Sequence, residues 1–207
     1  RSRFAHRKPA DRHTNDPTVN TFSMTATYNS DPSTSSFRTA PASFVFPDDG
    51  LVPNSPLPFL LYKGVIDPGD DPAKAIEDLF GANGWGQMWR NGVYDYLHYH
   101  TTVHEALGVA RGHGLVRFGG SHGEDFELRK GDVAILPAGT GHQCLSASDD
   151  LVVIGAYPPG APMQVTRPTP ENYRLAVRVI PQVALPESDP VYGPEGPLVQ
   201  LWKKSRR

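Results

Sequence analysis

Residues 92–157 are cut every few positions by glycine or proline, and the runs left between the cuts are too short for stable helices. The runs 94–100, 105–111, 115–118, 125–128, 133–136, 143–145 and 151–156 read as strands. Short strands at even spacing lead to a β-sandwich or barrel. Further strands are expected at 43–46, 59–62, 175–180 and 198–202, so the pattern reaches toward both ends and fits a jelly roll. One helix interrupts it. Asp71 is a good N-cap, Pro72 sits at the first helical position, Ile76, Leu79 and Phe80 share a face, and Gly81 or Gly84 ends the helix. The expected class is mainly all-β, with one short helix ahead of the histidine-rich stretch.

The chain's 207 residues, 38% apolar and 20% charged, suit one folded domain, and its 20 glycines and 21 prolines agree with many turns. A net charge of -2, from 20 basic and 22 acidic residues, gives no reason to expect nucleic acid or an acidic membrane as partner. No apolar run nears the about 20 residues that span a bilayer, and no signal-like apolar core stands near the start. Cys144 is the only cysteine, which excludes an internal disulfide and a cysteine-based zinc site and makes a cytoplasmic setting the simplest expectation. Residues 1–40 are polar, with Arg1, Arg3, Arg7, Lys8 and Arg12 near the start, and read as a disordered tail. Residues 43–202 are expected to form the single domain, and residues 203–207 a short basic tail.

His98 and His100 lie two apart on an expected strand. Alternation turns both to one face, about 6.6 Å apart along the strand, so both rings can lean onto one ion. Glu105 opens the next strand, where an antiparallel neighbour would set its carboxylate beside the rings. Residues 131–142 deliver a third imidazole: a strand, the turn Pro137-Ala138-Gly139, then His142 at the start of the returning strand. Three imidazole nitrogens and one carboxylate oxygen suit one divalent transition metal: Fe, Mn, Ni, Co or Zn. Four protein ligands on an octahedral ion leave two positions for water or substrate, whereas catalytic zinc more often has three protein ligands, which favours an octahedral metal.

These two segments resemble the paired motifs of the cupin superfamily, G-x5-H-x-H-x(3,4)-E-x6-G and G-x5-P-x-G-x2-H-x3-N. Gly92, His98, His100, Glu105 and Gly112 match the first; Gly131, Pro137, Gly139 and His142 match the second; Ser146 stands where the family often has Asn. A lone His-x-His says little, whereas nine matched positions in two linked motifs are specific. The resemblance implies an RmlC-like jelly roll, a double-stranded β-helix, with the metal on His98, His100, Glu105 and His142. The Asn position is not a ligand in the family. The strings NGWGQMWRNGVYDYLHYHTTVHEALGVARG, GDVAILPAGTGH, VIGAYPPG and DPVYGPEGPL are similar to the YjlB-like group of single-domain cupins over most of residues 44–202. That likeness strengthens the fold and supplies no reaction. Cupins with one barrel often pair through their sheets, so a homodimer is implied as well.

Around this set, Tyr94 and Tyr96 share the parity of His98 and His100 and would line the pocket mouth or fill the barrel. His104 adjoins Glu105 and would serve behind the ligands, as an acid or base, or at the surface. Arg111 has the parity of Glu105 and would reach an anionic substrate or face outward. Cys144 is read as a buried inert thiol, and Trp85 and Trp89 as core or pocket wall. Two functional readings stay open. One is a metal-dependent enzyme acting on a small polar organic molecule, of dioxygenase, isomerase or decarboxylase type, with no general base assigned. The alternative is a non-catalytic cupin that binds or senses a small molecule.

Overall fold

Phe59–Tyr62 (β2), Glu105–Arg111 (β5), Val133–Leu136 (β8) and Val152–Tyr157 (β10) are nearly unbroken apolar runs. Strands of that composition are buried on both faces. They form the middle of a six-stranded antiparallel sheet, edged by Ala42–Phe44 (β1) and Gly86–Asn91 (β3), in the order β1-β2-β8-β5-β10-β3. A three-stranded sheet, His113–Phe118 (β6) between Glu124–Arg129 (β7) and His142–Ala147 (β9), packs on one face. Phe59, Leu107 and Val153 there meet Val116, Phe118 and Leu128. A small pair, Tyr99–His100 (β4) with Val165–Thr166 (β11), lies beside them. This computed structural model describes residues 39–67, 69–160 and 162–206, within one compact unit, and the mainly β, antiparallel jelly-roll architecture matches the expectation. The expected tail at 1–40 lies outside the described residues except for its last two. No helix among the described residues is long and apolar enough to cross a membrane.

The expected helix is present as α1, Pro72–Ala82, with the Asp71 side chain accepting from the Lys74 amide. Ile76 and Phe80 are buried from it onto the other face of the large sheet, each contributing roughly 1.5–3 kcal/mol. Two more helices were not anticipated. Residues 175–180, expected as a strand, fall in α2, Pro170–Val179, and the adjoining 3-10 turn Ile180–Gln182. Residues 198–202 belong to α3, Pro197–Ser205, which also takes in Lys203, Lys204 and Ser205 from the expected basic tail. In both, a proline opens the first turn, and in α2 the Thr169 hydroxyl accepts from the Asn172 amide. These start signals outweigh the β-branched content that suggested strands. Leu198, Val199 and Trp202 recur at helical spacing and join the core over the large sheet, and the Trp202 indole donates to the Pro58 carbonyl at 2.8 Å. Residues 94–97 are not strand either; of the expected run only Tyr99 and His100 lie in a strand, and His98 forms an isolated bridge to His142.

One buried carboxylate fastens the segment that leads into α3. Asp189 is fully buried, and Gly193 and Asp189 exchange backbone hydrogen bonds at 3.0 Å. Its Oδ1 accepts from the amides of Val191 (2.8 Å) and Tyr192 (3.1 Å). Oδ2 accepts from the Leu198 amide (3.1 Å) and from the Tyr62 hydroxyl on β2. Burial first, and then the Asp189 charge, push the Tyr62 phenol well above its ordinary pKa, so it stays a donor.

Candidate metal centre

Three elements bring the three imidazoles together. His98 ends the irregular stretch before β4 and exchanges backbone hydrogen bonds with His142 at 2.8 and 3.2 Å. His100 is in β4, and His142 begins β9. The turn that delivers His142 is closed by the Thr140 amide donating to the Pro137 carbonyl at 3.1 Å. Gly139 has φ +93, and any Cβ there would stand 2.4 Å from the Asn54 carbonyl oxygen, so the position requires glycine. All three rings are buried, and one ligand nitrogen from each lies within 4.8 Å of the others.

The backbone sets the tautomers. Nδ1 of His98 faces the Tyr96 carbonyl at 3.0 Å, Nδ1 of His100 the Gln164 carbonyl at 2.9 Å, and Nδ1 of His142 the Thr140 carbonyl at 3.1 Å. A carbonyl only accepts, so each Nδ1 carries the proton and a neutral ring turns its Nε2 lone pair to the centre. Glu105, at the start of β5, adds a fourth electron-pair donor: Oε2 stands 3.1 Å from Nε2 of His100 and 3.4 Å from Nε2 of His142. Lone pairs this close repel unless a proton or a cation lies between them. Donors bound to one transition-metal ion at right angles would be separated by ~3 Å, given metal–nitrogen distances near 2.1 Å. The two carboxylate–imidazole separations therefore fit a cation.

The electrostatics favour a positive charge, proton or metal, beside the carboxylate. Burial, reinforced by the neighbouring His142 and His100 rings, lowers His98 to about 3, so it is a neutral ligand-type imidazole at neutral pH. Burial also opposes charge on His100, but the charge and hydrogen bond of Glu105 outweigh it and raise that ring. Burial works to raise Glu105; His100 and His142 overcome it and hold the carboxyl well below the usual range. The site is built to keep a carboxylate ionised and to place positive charge beside it.

Tyr157, at the end of β10, donates its hydroxyl to Glu105 Oε1 at 2.8 Å and accepts from the Trp89 indole at 2.7 Å. The sequence placed Trp89 as core or wall, and it is a wall; Tyr157 was missed. A cavity of ≈ 190 Å³ opens over the histidines, walled by Trp89, Val93, Leu107, Tyr157 and Val165, with Arg90 and Asn91 as its other polar lining. Tyr94 reaches this cavity, whereas Tyr96 stacks on Tyr94 at 4.8 Å and carries the Arg167 guanidinium 4.0 Å over its ring. Arg111 is exposed at the far end of β5, opposite Val152, and does not line the cavity. Cys144 is half-buried in β9 with its thiol on the Ser146 carbonyl at 3.4 Å, away from the cavity; burial raises its pKa.

His104 stands behind the ligands. Its Nδ1 accepts from the Ala138 amide at 2.9 Å, its Nε2 donates to the Ala184 carbonyl at 3.1 Å, and its ring lies 4.7 Å from that of Trp202. Protonating Nδ1 would break the bond to the turn that carries His142. Burial, aided by the Arg206 charge, lowers this ring to about 4. An unfolded histidine titrates near 6.5, so His104 contributes stability that is present above that pH and is lost as pH falls toward 4. Its share is roughly 3 kcal/mol. With chelator present, Tm is expected to fall between pH 7 and 4.5, and His104→Gln should flatten that slope. An unchanged slope would assign the loss to other groups.

A family model described as Cupin matches residues 86–183. The Bacillus subtilis (strain 168) protein named Uncharacterized protein YjlB is 37% identical over 163 residues, covering 78% of this chain and 96% of that protein. Among solved structures, acireductone dioxygenase from Bacillus anthracis, with a cadmium ion in its active centre, is similar at 22% identity and a TM-score of 0.34. That alignment covers 45% of this chain and 62% of the dioxygenase, so this chain spans less than two thirds of it. RmlC from Streptococcus suis, in complex with dTDP-D-xylose, is similar at 16% identity and a TM-score of 0.27, over 63% of this chain and 72% of that one.

Proposed function

The chain belongs to the cupin family, and from that premise we propose that it binds one divalent transition metal and uses it on a small polar organic molecule. His98, His100, Glu105 and His142 hold the ion in this reading. The observation that carries it is three buried imidazoles whose ligand nitrogens lie within 4.8 Å of one another, two of them facing the Glu105 carboxylate at 3.1 and 3.4 Å. Bound there, such an ion supplies Lewis acidity to a substrate oxygen or, if it is iron, dioxygen activation. The chain's own residues do the rest. Trp89, Val93, Leu107 and Val165 give the cavity apolar walls, and Asn91 and Tyr94 are among the lining residues that offer polar contacts to a substrate. Tyr157 holds a proton on the Glu105 carboxylate. Dioxygenase, isomerase and decarboxylase types all fit this arrangement.

The deciding experiment is elemental analysis of protein purified without chelator or a metal-affinity tag. Near one Fe, Mn, Ni, Co or Zn per chain is expected. Iron would direct the search to substrate-dependent oxygen uptake. No bound metal, even after each ion is added back, would overturn the proposal.

A further inference from the structure

The Glu105 carboxylate has two oxygens in different surroundings, and a chain of contacts across three adjacent strands makes them so. Oε2 faces His100 and His142 at 3.1 and 3.4 Å. Oε1 takes the Tyr157 hydroxyl at 2.8 Å. A phenol has one proton to give, and the Trp89 indole only donates. With Trp89 donating to the Tyr157 oxygen at 2.7 Å, the phenolic proton is left for Glu105 alone. Trp89 is held in place by an absent side chain. It pairs with Gly155 across β3 and β10, and a Cβ on Gly155 would lie 2.0–2.3 Å from three atoms of the indole. The strand order β5-β10-β3 then links Gly155 and Trp89 to Tyr157 and Glu105 without a gap.

We propose that Tyr157, aimed by Trp89, is a positioning residue that reserves Glu105 Oε1 for a hydrogen bond and so keeps Glu105 a one-oxygen ligand. The proposal rests on the metal reading above. A carboxylate that binds an ion through both oxygens needs both free to turn toward it; Tyr157 holds one of them away. The coordination position so spared stays available to a molecule in the cavity. Partners of this kind orient ligands elsewhere, and their removal weakens metal binding about 10–100-fold.

The test is Co(II) titration of the metal-free full chain, read by visible absorption, for wild type, Tyr157→Phe and Trp89→Phe. Intensity and position of the cobalt bands report coordination number independently of any catalytic activity. Tyr157→Phe is expected to keep the far-UV circular dichroism of wild type but to shift the cobalt bands as Oε1 is released, and to weaken Co(II) binding about 10–100-fold. Trp89→Phe keeps the phenol and frees its proton, so it should shift the bands in the same direction by less; it also decides the matter if Tyr157→Phe does not fold. Cobalt bands identical to wild type in the folded variants would overturn this role while leaving the metal site intact. A wild-type chain that develops no cobalt bands would overturn the metal reading, and this inference with it.

Discussion

His142→Ala is expected to purify without stoichiometric metal and still fold. The imidazole is one of four inward-facing donors, and structural metal sites of four ligands are worth roughly 10–16 kcal/mol in apparent binding free energy. Losing one of four donors should therefore weaken binding by about a hundredfold to a thousandfold. The fold should survive because most of what His142 gives to architecture is backbone, its ring adding one hydrogen bond to the Thr140 carbonyl. Its amide and carbonyl bridge to His98 at 2.8 and 3.2 Å, and both remain in alanine. The turn before it is set by Pro137 and Gly139, not by the ring. Deleting the side chain costs about 1–2 kcal/mol of packing. Metal content per chain and the Tm of the chelated protein check the two halves separately. Full metal occupancy in the variant would remove His142 from the ligand set.

Asp189→Ala should be the most destabilising single change outside the metal site, by roughly 3–5 kcal/mol. The carboxylate accepts from three backbone amides and the Tyr62 hydroxyl, and all four donors would be left facing apolar surroundings. A drop in Tm on the order of 10 °C follows for a domain of this size. Asp189→Asn should recover only part of it. Either orientation of the amide turns an NH2 group toward donors already aimed at the site, the pair from Val191 and Tyr192 or the pair from Tyr62 and Leu198. A variant melting within 2 °C of wild type would show that water or a rearranged turn satisfies those donors.

The histidines were readable because their placement is local. His98 and His100 sit within one short segment, and the Pro137 to His142 turn is specified by its own residues. The same locality gives the Tyr96 and Thr140 carbonyls that fix two of the rings, each two residues before the histidine it holds. The third carbonyl, Gln164, comes from beside β11, a two-residue strand with no sequence signature. Trp89 and Tyr157 meet only through the register of β3 against β10, and the Gly86–Asn91 run shows no apolar alternation to announce a strand. The two later helices were misread for a different reason. Residues 175–180 are rich in Leu, Val and Ile, which favour strand by propensity, while Thr169 and Pro170 carry the helix start several residues earlier. Arg111 shares the sequence parity of Glu105, yet the pairing of β5 with β10 shifts register between Val109 and Arg111, so alternation stops being a guide there and the residue ends exposed, away from the cavity.

Trp202 and His104 tie the order of synthesis to the order of assembly. The turn that presents His142 is anchored through the Ala138 amide on the His104 ring, and that ring is covered by an indole from α3. A nascent chain has all four donor residues in hand once residue 142 has left the ribosome, but not the residue that lies over the ring behind them. Until residue 202 emerges and α3 docks, the His104 ring that anchors the turn lacks its indole cover. The turn that presents His142 is thus fully backed only in the completed fold, however early its own residues leave the ribosome.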